Sequence, residues 1–92
     1  MADNAYGFLE VKGLVTAVVA GDAMVKSAYV RLLAQIPTHP GLITLVVAGD
    51  IGACSAAVEA GRAAALGVGE VVSDKVMGRP DPEIDLFFRA NT

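Results

Sequence analysis

Tryptophan is absent from these 92 residues, which hold two tyrosines and three phenylalanines. So few rings leave little for nucleic-acid bases to stack on. Cations are scarce as well: seven Lys and Arg stand against ten Asp and Glu, a formal net charge of −3. A basic stripe that would track a phosphate backbone is therefore excluded, and no nucleic-acid partner is expected. The single cysteine, Cys54, rules out a disulfide or a cysteine-based metal cluster within one chain. In its context, GACSAA, it reads as a small buried helix residue.

Long apolar runs are missing too. The stretch around Leu45 to Ala48 is far too short to span a bilayer, so no membrane partner is expected. The opening MADNAYGFLE has no basic region followed by an apolar core, so a secretory leader is not expected and the cytoplasm is the expected address. Catalytic signatures are also missing. There is one histidine, His39, and no GxSxG, HExxH or Walker-type loop. The GVGE at Gly67 to Glu70 lacks the third glycine and the following helix of a phosphate loop, and reads as a tight helix-to-strand turn. Glu10, Glu59, Asp74 and Asp81 are scattered singly and read mostly as solvated carboxylates. No acid, base and nucleophile assemble. The chain is not expected to be an enzyme, and no cofactor or metal is assigned.

What is present is hydrophobicity, 54% of the residues. A chain this short is one domain, 1–92, with its core at about 5–80 and a terminal segment at 81–92. Domains near this size bury only about 60–65% of the surface that the unfolded chain exposes. Apolar surface is left over, and self-association would cover it.

The elements follow from periodicity. Ala5 to Lys12 alternates and reads as a strand. Leu14, Ala17, Val18, Met24, Val25 and Ala28 fall near helical spacing, so Leu14 to Ala28 reads as a helix. Tyr29 to Ile36 reads as a second strand and Leu42 to Gly49 as a third, β-branched and nearly all apolar. Asp50 is a fitting N-cap for a second helix, Ile51 to Leu66, whose Ser55, Glu59 and Arg62 share one polar face. Gly67 suits its C-terminal stop. Val68 to Met77 reads as a fourth strand, and Asp81 to Arg89 as a short terminal helix after a turn. The order βαββαβ is that of an α+β, ferredoxin-like fold: an antiparallel four-stranded sheet with the helices on one face. Between strands two and three lies QIPTHPGLI, Gln35 to Ile43, read as a rigid loop. A fold of this kind also serves small trimeric ligand-sensing domains, which remain the alternative. Such domains need a long mobile loop or a glycine-rich ligand turn, and the connections here are short.

Three segments carry a resemblance. GLVTAVVAGDAMVKSAYVRLL, GLITLVVAGDIGACSAAVEAG and VGEVVSDKVMGRPDPEID resemble, in order and spacing, the conserved segments of single-domain bacterial microcompartment shell proteins. The match runs from Tyr6 to about Pro82. The resemblance implies a structural protein: flat homohexamers that tile, with other shell proteins, into a shell in the bacterial cytoplasm. That shell encloses enzymes, and each hexamer carries a central pore for small metabolites.

The resemblance also assigns sites. The connection between strands two and three lines the pore, which makes Thr38, His39, Pro40 and Gly41 the pore-lining residues. The family often has Gly-Ser-Gly where this chain has His39, Pro40 and Gly41, and Pro40 has no amide hydrogen to offer a solute. Pointing inward, His39 would bring six imidazoles near one axis; on the hexamer face it would be solvated. Lys26 and Arg79 match the lysine and arginine at the seam between hexamers, with Tyr29 and Pro80 beside them. A lysine stem packs along a neighbour while its ammonium reaches carbonyls, and an arginine fork donates to several at once. Pro82 to Thr92 departs most from the family. Its Leu86, Phe87 and Phe88 read as a folded-back cap or a docking segment.

Overall fold

Along Tyr6-Gly7-Phe8-Leu9-Glu10-Val11, every second residue points to the same side of a strand. In the computed structural model, which describes residues 4–78, this alternation forms β1, Ala5–Lys12. Then come α1 (Leu14–Ser27), β2 (Arg31–His39), β3 (Leu42–Gly49), α2 (Ile51–Leu66) and β4 (Glu70–Gly78). The strands form one sheet in the order β2-β3-β1-β4, with every neighbouring pair antiparallel. The terminal helix expected at Asp81 to Arg89 lies outside the described residues.

Both helices pack on one side of the sheet. Ala5, Leu9 and Val11 of β1 and Leu45 and Val47 of β3 form one core with Ala17, Ala20 and Met24 of α1 and Cys54, Ala57, Val58 and Ala65 of α2. Leu9, Met24 and Leu45 are fully buried, and each such side chain contributes about 1.5–3 kcal/mol by leaving water. The opposite face carries a smaller cluster of Tyr6, Ala34, Val46 and Ala48, with Phe8, Leu33 and Ile36 against it. Tyr6 and Phe8 meet edge-on there, 6.2 Å between ring centres.

The stripe that α1 buries differs from the one its large apolar residues suggest. Thr16, Ala17, Ala20, Gly21 and Met24 face inward. Leu14, Val15, Val18 and Val25 are exposed. The reason is spacing: small residues let α1 lie close to α2 and the sheet, and its bulky side chains turn outward. The stripe of α2 is read correctly from its polar face, since Ser55, Glu59 and Arg62 are exposed while Cys54, Ala57, Val58, Gly61 and Ala65 are buried.

The start of α2 forms as expected: the Asp50 carboxylate accepts from the Ala53 N–H at 2.8 Å. Its end differs. Gly67 has φ −74°, an ordinary right-handed conformation, and the helix stops because the amides of Gly67, Val68 and Gly69 fold back onto the Ala64 and Ala65 carbonyls. Three strand or helix ends also move. The first helix ends at Ser27, β2 starts at Arg31 rather than Tyr29, and β4 runs from Glu70 rather than Val68.

The largest correction concerns Gln35 to Ile43, which is a β-hairpin and not a loop. Pro37, Thr38 and His39 belong to β2, and Pro40-Gly41 alone make the turn. β2 is an edge strand hydrogen-bonded only to β3, so the missing amide of Pro37 is tolerated there.

Candidate functional site

Two places carry the residues singled out from the sequence: the β2–β3 hairpin tip and the C-terminal end of α1. At the tip, His39 pairs with Leu42, and Pro40 and Gly41 span between them. Gly41 has φ +82°. Proline sets φ near −65° at the second turn position and glycine supplies the positive φ at the third, which are the requirements of a type II turn. Thr38, His39, Pro40 and Gly41 are all exposed. His39 lines an open groove with Leu14, Pro37, Leu42 and Ile43.

The β2–β3 ladder slips between Pro37 and His39, which leaves Thr38 without a partner in the register. Such bulges re-aim a side chain. Here the Thr38 hydroxyl crosses over β3 and donates to Oε2 of Glu10 on β1, at 2.5 Å. Thr44 of β3, directly opposite Glu10, donates to the same oxygen at 3.5 Å. On the backbone, the Gly13 N–H donates to the Gly41 carbonyl at 2.6 Å. The tip is thus tethered twice to the C-terminal end of β1.

Glu10 was not singled out as a site residue and read as one more solvated carboxylate. It is instead half-buried and engaged by two threonines. The available signal was its place in the Tyr6-Phe8-Glu10 alternation, a charge on an otherwise apolar strand face. Asp74 is likewise paired, with Arg62 at 3.4 Å.

At the other end of α1, Lys26 pairs with Asp22 one turn earlier at 3.1 Å, both side chains more than half exposed. Its position in the last turn also suits the negative end of the helix dipole. Tyr29 follows, 85% exposed. Arg79 and Pro80 lie outside the described residues. Leu14 in the tip groove and Lys26 are twelve residues apart on α1, which places them about 18 Å apart along the helix axis.

Among the described residues no three His, Cys, Asp or Glu side chains gather in a way that could hold a metal ion. Among them, too, no helix is long and apolar enough to cross a membrane.

Comparison with known proteins adds the family. The BMC domain model matches residues 5–80. The bacterial microcompartment shell protein EutK of Escherichia coli (strain K12) is 55% identical over 80 residues, covering 87% of this chain and 48% of that protein. The shell protein PduA of Citrobacter freundii is 47% identical over 85 residues, covering 92% of this chain and 91% of PduA. A crystal structure of a microcompartments protein from Desulfitobacterium hafniense superposes with a TM-score of 0.86 at 31% identity, covering 99% of this chain and 49% of the other. The chain spans about half the length of the EutK relatives, 48% and 57%. By family model, by sequence and by fold, the chain belongs to the BMC domain family, whose named relatives are bacterial microcompartment shell proteins.

Proposed function

We propose that this chain is a structural tile of a bacterial microcompartment shell, in the bacterial cytoplasm, and not an enzyme. Six copies surround one axis, with Thr38, His39, Pro40 and Gly41 of each at the rim of a central pore for small metabolites. Lys26 and Tyr29, with Arg79 and Pro80, meet the neighbouring hexamer. Other shell proteins complete the layer, and enzymes lie inside it. The domain is a single one with its core at about 5–80, and the sheet order β2-β3-β1-β4 is read as the ferredoxin-like arrangement.

The observation that carries this reading is the placement of the two sites at opposite ends of α1, about 18 Å apart. A tile needs a centre and an edge, and one rigid helix separates them. Between them, the exposed Leu14, Val15, Val18 and Val25 supply apolar surface suited to burial between subunits. The exposed Lys26–Asp22 pair is the kind that contributes little and exchanges readily, so Lys26 is free to reach carbonyls across a seam.

Native mass spectrometry of the purified chain, followed by electron microscopy of the same sample, tests the proposal. A six-fold ring that tiles into sheets is expected. A stable dimer or trimer would return the small ligand-sensing domain as the better reading.

A further inference from the structure

We infer that Glu10 is a positioning residue for the hairpin tip: its carboxylate latches Thr38 and thereby sets the rim of the opening. The inference rests on the reading of that tip as a pore rim.

The geometry points to this in three steps. Thr38 is the bulged residue of β2, without a partner in the register with β3. Its hydroxyl instead bonds a carboxylate two strands away, at the length usual for O–H···O⁻ bonds. Thr44 sits under the same carboxylate oxygen and holds it toward β2. The second tether, from the Gly13 N–H to the Gly41 carbonyl, involves no side chain. With that bond alone the tip can pivot about a single point. A second attachment at Thr38 removes the pivot. Pro37 and Pro40 add stiffness on either side of it. A rim built this way is held from the end of β1, outside the opening itself.

The test uses the chain with Thr38→Val, Thr38→Ser, Glu10→Gln and the Thr38→Val/Glu10→Gln pair. Amide hydrogen exchange is read at Gly41 and Leu42. Thr38→Val keeps the shape of the side chain and removes the donor, so exchange at the tip rises about tenfold, in line with losing one hydrogen bond to a charged group. Thr38→Ser keeps the donor and retains most of the protection. The paired variant rises no further than its more affected single variant, because both changes break one bond. Equal protection in Thr38→Val and the unaltered chain, or additive effects in the pair, would overturn the latch.

Conductance of the assembled protein in planar bilayers separates the two readings. Glu10→Gln leaves the four tip residues untouched, yet is expected to change the mean conductance or broaden its distribution. Loosened exchange with unchanged conductance would overturn the rim as the place where the latch acts.

Discussion

The helix seam and the hairpin tip are both built around glycine, for opposite reasons. At the seam, Gly61 of α2 faces Met24 of α1 and Leu9 of β1; a Cβ there would sit 2.5 Å from Met24 Cγ and 3.0 Å from Leu9 Cδ2. The missing atom is what lets two helices and a strand come together. At the tip, a Cβ on Gly41 would meet nothing within 4 Å, but φ is +82°. There the glycine supplies a backbone conformation rather than space. The seam is specified by many packed neighbours, whereas the tip depends on a turn and two named tethers. Packing makes the tile, and a few directional bonds shape its functional rim.

The sharpest way to break this contrast is at the seam. Met24→Ala, at a fully buried position, is expected to cost about 2–5 kcal/mol in denaturant unfolding. Gly61→Ala carries two opposed effects. Alanine improves helix propensity by about 0.8–1 kcal/mol, and the overlap with Met24 costs about 1–3 kcal/mol. The overlap wins, because Met24 has no free space into which to retreat. In the double variant the new methyl group enters the room that Met24 leaves, so the combined loss falls below the sum of the single losses. Strict additivity would mean that the seam is loosely packed and that the contrast with the tip is false.

The second test exchanges the two glycines for asparagine. Gly41→Ala is expected to cost about 1–2 kcal/mol, the penalty of an L side chain in the left-handed region. Gly41→Asn costs less than Gly41→Ala, since asparagine tolerates positive φ. At Gly61 the order reverses, because asparagine adds bulk and buries an amide. Melting temperatures of the four variants give the ranking directly. The same ranking at both sites would leave no reason to treat the seam and the tip as different.

This contrast also marks how far the sequence could be read. Ala5–Lys12, Leu42–Gly49 and Ile51–Leu66 match their expected bounds, because alternation, β-branching and the Asp50 cap all act locally. The tip was misread because Pro37 and Pro40 look like strand breakers, and only the sheet order reveals that Pro37 sits on an edge where its missing amide is harmless. The buried stripe of α1 was misread because hydrophobicity favours Leu14 and Val18, whereas close packing favours Ala17, Ala20 and Gly21. Glu10 and Thr38 are 28 residues apart and belong to strands that do not neighbour each other, so no local pattern joins them. The residues at the tip and at Lys26 were found through resemblance to a family, with no help from spacing.

The smallest expected effect on folding comes at Lys26, the position furthest along α1 from the tip. The Lys26–Asp22 pair is more than half exposed on both sides, and such i,i+4 pairs contribute about 0.2–0.5 kcal/mol before salt screening. Alanine also returns a little helix propensity, so Lys26→Ala is expected to move the unfolding midpoint barely at all. Assembly should respond differently. A lysine that bridges neighbours acts once in every subunit of every hexamer, so a weak contact is multiplied along the seam. Native mass spectrometry should therefore still find hexamers, while electron microscopy should find no extended sheets. Sheets as abundant as those of the unaltered chain would place the edge elsewhere. α1 would then separate the tip from ordinary solvent-exposed surface.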